Sequence, residues 1–271
     1  ANQPATLDGG VYQIGNAGQL YWFAGLVNGT LTDVAQDTDA DAVLTADITI
    51  NTGVLDENGK LNGNGANLRS WTPIGNNSNR YTGTFDGNDK TISGLYYSGN
   101  NGSGNVYAGL FGCVGSDGKV KNVKVADSYI MVTVTTDQNQ LFVGGVCGQN
   151  YGTITNCSNA GTVTGAGGNG EGSSIAYVGG VCGANYGTIT NCCNSGSVIG
   201  SGNVGGVCGT NGSVQGSSGT IENCSNSGDV GGYYAGGVCG QNFSAATITN
   251  CYNIGSVSGY YIGGVCGWNY G

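Results

Sequence analysis

Residues 144–165 read GGVCGQNYGTITNCSNAGTVTG, and the chain returns to this phrase again and again. GGVCG recurs at 179–183, 205–209, 236–240 and 263–267, while TITNC, once written TIENC, recurs at 188–192, 220–224 and 247–251. The first cysteines of successive copies, Cys147, Cys182, Cys208, Cys239 and Cys266, lie 35, 26, 31 and 27 residues apart. The excess over about 26 residues falls in Gly/Ser-rich inserts such as 165–174 and 212–219. A fixed register with variable inserts belongs to a solenoid whose loops bulge between coils. Each copy holds three short β-type runs, and none keeps a 3.6-residue apolar period over helical length.

The expected fold is therefore all-β, a right-handed parallel β-helix with three sides. Val146, Ile154 and Val163 are expected to point inward, as are Val181, Ile189 and Val198 one coil later. Coils stack about 4.8 Å apart in such a fold, and parallel crossovers favour the right-handed winding. Three asparagine columns agree with it. Asn150, Asn185, Asn211, Asn242 and Asn269 follow the GGVCG cysteine by three; Asn156, Asn191, Asn223 and Asn250 precede the second cysteine; Asn159, Asn194, Asn226 and Asn253 follow it by two. Asn tolerates left-handed corners, and stacked amides bond along a column, so these are read as turn residues and not as a binding site.

The first 70 residues differ. Asn16 before Leu20, Phe23, Ala24 and Val27, with Gln19 as capping-box partner and Gly29 as stop, predicts one helix over about residues 17–28. Residues 1–70 are read as an N-terminal cap over the first coil, and residues 71–271 as the solenoid.

Composition narrows the function. There are 56 glycines in 271 residues, 8% charged residues, no His and a net charge of −9. All seven cations (Lys60, Arg69, Arg80, Lys90, Lys119, Lys121, Lys124) precede residue 125. Such a chain is not expected to bind nucleic acid, and no apolar run is long enough for membrane insertion. A start at Ala1 without Met is expected of a mature secreted product.

Eleven cysteines in such a chain leave three readings open. The thiols are small buried hydrophobes; or they bond across each coil as Cys147–Cys157, Cys182–Cys192, Cys208–Cys224 and Cys239–Cys251; or they bond along a column. Phe111 and Val123 in the corresponding slots of a degenerate coil favour apolar burial, whereas the joint loss of both cysteines there favours pairing. Metal-ligand spacing is absent, and no cofactor is expected.

Catalytic groups are scarce. The regular coils hold only Asp127, Asp137, Glu171, Glu222 and Asp229 as acids, which read as solvated surface groups. Asp37, Asp39 and Asp41 alternate as in calcium loops, but Ala42 and Ile48 stand where an EF-hand needs Gly and Glu. Tyr151, Tyr186, Phe243 and Tyr270 form a stripe after the Asn150 column, broken by Gly212 and joined by Tyr233, Tyr234, Tyr260, Tyr261 and Trp268. Such a stripe can stack on sugars or on a protein partner, or cover an apolar flank. The Thr153/Thr155, Thr188/Thr190 and Thr247/Thr249 lattice has the outline of an ice-binding surface, interrupted by Glu222.

Gly109-Leu110-Phe111-Gly112 occupies the GVCG slot of the degenerate coil, and Val120-Lys121-Asn122-Val123 its second slot. These strings, with their Gly-Val-Cys-Gly counterparts, resemble the GLUG repeat of secreted and surface bacterial proteins, over about residues 71–271. The resemblance implies β-helical surface proteins, adhesins and non-catalytic regions attached to IgA-specific metallopeptidases, with no shared catalytic residue. The expected function is a non-enzymatic secreted or cell-surface solenoid serving as spacer, adhesin or matrix component. A β-helical polysaccharide lyase or hydrolase is the alternative, and ice binding a minor one. The expected partners are a glycan, a host or cell-surface protein, or a second copy stacking head to tail on the coil opened by residues 263–271.

Overall fold

The computed structural model describes residues 1–100, 104–134, 139–167 and 176–271. The fold is a β-solenoid whose coils stack through parallel, in-register strands. Cys147 pairs with Cys182, Ile154 with Ile189 and Val163 with Val198, so the one-lap register of the repeats is the register of the sheets. Four sheets run along the molecule, two of them starting only at Tyr96 and Phe111. In the coil that opens the repeat, sheet I takes Cys147–Asn150, sheet II Thr153–Thr155 and sheet III Ser158–Asn159. Sheet III has seven strands, which gives about seven laps.

Sheet IV departs from the expected cross-section. Thr162–Ala166 runs out from the body, and Ala176–Gly179 returns to it at the start of the next coil. From Tyr96 onward each coil is thus a three-sided body carrying a two-stranded arm, with two separate cores. Val146, Cys147, Ile154 and Cys157 pack in the body, whereas Val143, Val163, Val178 and Val198 pack inside the arm. The expectation that Val163 shares one interior with Val146 and Ile154 is corrected accordingly. The chain folds this way because the neck between the cores admits no side chain. A Cβ on Gly145 would lie 2.5 Å from both the Asn159 side chain and the Gly180 carbonyl, and one on Gly144 2.2 Å from the Cys147 carbonyl. The Gly-Gly of each repeat is that neck. Where a coil has no insert, the arm strands fuse: Val230–Gly236 pairs with both Val198–Gly200 and Asn203–Gly205.

The corners rest on asparagine. Asn122, Asn156, Asn191, Asn223 and Asn250 hold φ of 59°, 54°, 54°, 54° and 52°, in the left-handed region that Asn enters at low cost. Asn150, Asn185, Asn211, Asn242 and Asn269 form an amide ladder, buried as far as Asn242, in which each Nδ2 donates to the next Oδ1 at 2.9 Å. A second ladder joins Asn159, Asn194, Asn226 and Asn253 at 2.8–3.0 Å.

The helix spans Ala17–Asn28, with the Asn16 side chain accepting from Gln19 N and Gly29 left-handed at its end. It buries Leu20, Phe23 and Val27 against the first laps, where Phe23 meets Tyr81 and Phe85 at ring distances of 6.1 and 5.8 Å. Strand pairing crosses residue 70 without a break. Asp41–Leu44 and Ile48–Thr49 already lie in sheets II and III, paired with Thr84–Asp86 and Thr91–Ser93. Among the described residues no helix is long and apolar enough to cross a membrane.

Candidate functional site

Where the returning arm strand meets sheet I, the surface is concave. Leu141 and Val143 face the arm core, so Phe142 between them faces the other way. In-register stacking places Tyr107, Phe142 and Tyr177 in one column, followed by Asn203, Tyr234 and Tyr261. Tyr107 and Phe142 stack at 5.0 Å with planes 2° apart, and Phe142 and Tyr177 at 5.1 Å and 20°. The facing wall is the stripe expected from the sequence: Tyr151 and Tyr186 lie 5.0 Å apart, and Phe243 and Tyr270 5.5 Å apart and nearly parallel. Between the walls runs the floor column of Gln149, Thr210 and Gln241. Tyr107, Phe142, Tyr177 and Asn203 on one side and Tyr151, Tyr186 and Phe243 on the other line a groove of about 620 Å³, within the size of ligand clefts, and Tyr234, Tyr261 and Tyr270 continue the two columns beyond it.

Amides hold the walls in place. Gln140 Nε2 donates to the Tyr177 hydroxyl at 3.4 Å, and Asn203 Nδ2 donates to Thr210 Oγ1 at 3.0 Å and Gln241 Oε1 at 2.8 Å. Burial raises the phenols of Tyr151, Tyr177 and Tyr186 above their usual range, so all three stay protonated. Arg80 closes one end, its guanidinium 4.0 Å above the Tyr151 ring and its Nη2 donating to Asn77 Oδ1 at 2.8 Å. Two buried polar atoms have no hydrogen-bond partner among the described residues, Arg80 Nε and Asn203 Oδ1, and both residues line this groove.

The other candidate residues fall elsewhere. The cysteines of the repeats form two columns inside the body, 147-182-208-239-266 and 157-192-224-251, and all eleven are free thiols. The contacts of the second column run along it: Cys157 N donates to Cys192 Sγ and Cys224 N to Cys251 Sγ, each at 3.4 Å. None of the pairs Cys147–Cys157, Cys182–Cys192, Cys208–Cys224 or Cys239–Cys251 is bonded in this structure. Burial pushes the Cys182 and Cys239 thiols well above the ordinary range, and Cys113 beneath Gln149 up to about 12.

Asp37 and Asp41 accept backbone N–H bonds from Asp39 and Thr84, and Asp39 accepts the Thr82 hydroxyl. No group of three His, Cys, Asp or Glu side chains able to hold a metal occurs among the described residues. Asp127 clamps the backbone N–H groups of Val54 and Leu55. Glu222 sits in sheet II, and Asp229 is exposed before the arm. Asp137 and Glu171 lie outside the described residues.

Half the groove escaped the sequence reading. Tyr107, Phe142 and Tyr177 each stand two residues before a glycine of the Gly-Gly or Gly-Leu neck, in the slot of Asn203, Tyr234 and Tyr261. That fixed offset was the available signal.

Comparison with known proteins agrees with the fold. The family model of the GLUG motif matches residues 143–164 and 231–258, stretches that run through the neck, the body sides and the outgoing strand of their coils. A protein of Evansella cellulosilytica, provisionally named a Gly-rich membrane protein, is 39% identical over 88 residues, which are 32% of this chain and 9% of that protein. The chain thus matches less than a tenth of the length of that relative. A crystal structure of a provisionally named immunoglobulin A1 protease from Bacteroides ovatus superposes with a TM-score of 0.54 at 17% identity. It covers 96% of this chain and 85% of its own, a likeness of fold.

Proposed function

We propose that this GLUG-repeat solenoid is a non-catalytic, secreted or cell-surface adhesin that holds a glycan or an extended protein segment in the groove between arm and body. The composition of the groove carries this reading. Its described lining is aromatic rings, amides and hydroxyls with Val214, Gly212 and one arginine, and it includes no Asp, Glu, His or Lys. Rings and amides bind a ligand, but general acid–base work needs a tuned carboxylate, imidazole or amine at the reacting atom. A surface location is supported by the resemblance to secreted and surface GLUG proteins and by the membrane-protein name of the Evansella relative.

The enzymatic alternative rests on Arg80 in the groove and on the protease name of the structural neighbour. Binding of the labelled chain to a glycan array and to mucin-coated surfaces separates the two. Saturable binding is expected, reduced at least tenfold in Ser213→Trp, whose ring projects from the groove rim, with no new reducing ends and no cleaved protein. Release of either product would overturn the reading, and so would binding that Ser213→Trp leaves unchanged.

A further inference from the structure

Resting on that reading of the groove, we propose that its ligand is a carbohydrate and that one sugar ring is selected at a single coil, in the gap held open by Asn203. Stacked 5 Å apart along a wall, Tyr107, Phe142 and Tyr177 cover one another's faces and offer a ligand only their edges. The column then breaks. Register places Asn203 on Tyr177 and Tyr234 on Asn203, so Tyr177 and Tyr234 stand two coil steps apart, about 9.6 Å at about 4.8 Å per step. A ring midway between them lies about 4.8 Å from each, inside the 4.5–7 Å range of stacked rings.

The facing wall breaks at the same coil. Gly212 follows Tyr186 and precedes Phe243, so neither wall carries a ring there. One interruption is a substitution in a column; two facing each other leave this coil without a ring on either wall, and Ser213, Val214 and Gln215 of the insert line the groove there instead.

The chemistry of the slot is a sugar's. Asn203 is 2% exposed, its Nδ2 committed to Thr210 and Gln241 and its Oδ1 without a partner among the described residues. A buried acceptor left unpaired is destabilising, and a tyrosine here would continue the stack without that cost. A pyranose satisfies both needs. Its C–H face lies on the tyrosine ring, and a hydroxyl on its rim donates to Oδ1 after a small turn of the amide. Thr210 and Gln241 meet the hydroxyls on either side. The side chain of Phe or Leu from a protein ligand would fill the space and bring no donor. The lining at this coil is uncharged, so the slot favours neutral sugars.

The test uses the full chain with the methyl glycosides of glucose, galactose, mannose and N-acetylglucosamine and their linear tetrasaccharides. Saturation-transfer NMR and titration calorimetry read the binding. At least one tetrasaccharide is expected to bind, with its saturation maximal on one ring. Asn203→Tyr closes the slot with the residue its column otherwise uses, and is expected to cost at least tenfold in affinity. Asn203→Ala leaves the slot open but removes the acceptor, and is expected to cost three- to tenfold. Unchanged circular dichroism in either variant shows that the fold is kept. Equal binding by wild type and both variants would overturn the slot and leave the groove reading standing. Absence of sugar binding by the wild type would overturn the carbohydrate assignment, while protein binding lost in Ser213→Trp would still support the groove. Absence of both would overturn the two together.

Discussion

At the neck, one hydrogen atom decides the cross-section. Gly145 has the Gly180 carbonyl and the Asn159 amide within 2.5 Å of where a methyl would sit, and backbone cannot swing aside. Gly145→Ala is expected to destabilise by about 1–3 kcal/mol, the range of overpacked cores, read as a lower urea midpoint at unchanged m-value. The ladder asparagines act through bonds instead. Asn185 donates to Asn211 Oδ1 and accepts from Asn150 Nδ2, both at 2.9 Å and away from water. Asn185→Ala therefore removes both ladder bonds, at about 1–3 kcal/mol each, together with its bonds to Gly187 and Thr220, whereas Asn269→Ala at the exposed end is expected to cost far less.

The thiols give a pH signature. Burial lifts Cys113 to about 12 from an ordinary value near 9, so the folded state keeps a proton that the unfolded state loses. Stability is expected to be indifferent to this group below pH 9 and to decline between pH 9 and 12, and Cys113→Ala should flatten that decline in a urea series. Cys193 is exposed, Cys251 and Cys266 at the last coils are half-buried and the other eight are buried, so iodoacetamide on the native protein should label Cys193 first. In denaturant without reductant, eleven adducts are expected; a deficit in multiples of two would reveal disulfides.

At the scale of elements, the strands and the helix were legible because each is written in local chemistry. Asn16, Gln19 and Gly29 mark the helix ends, and the structure places them there. Asn16→Ala is expected to cost about 1 kcal/mol, the usual worth of an N-cap, with helix amides exchanging faster than the sheet amides. The arm was not legible for an equally physical reason. Alternation in Thr162-Val163-Thr164 states that Val163 is buried, but not in which of two cores, and that choice depends on Gly144 and Gly145 closing the neck elsewhere in the chain. The same fact hid one groove wall. Phe142 reads as another apolar residue in Leu141-Phe142-Val143 until the arm exists to give the strand a second face.

At the scale of the whole molecule, each coil touches only its neighbours, so stability is a sum of coil and interface contributions. Repetition builds the groove at the same time as the core: one side chain per lap, laid in register, becomes a wall. The candidate site was legible as far as the Tyr151 stripe, which lies outside the core on either cross-section. Its partner wall and the break at Asn203 needed the three-dimensional register.

The most direct test is hydrogen exchange of the full chain with and without soluble mucin as a glycan-rich probe. Protection is expected in the groove strands, residues 141–151, 176–186 and 203–212, with sheets II and III unchanged. Protection spread along the Thr153–Thr155 face and its counterparts, or none at saturating mucin, would contradict the groove as the working surface.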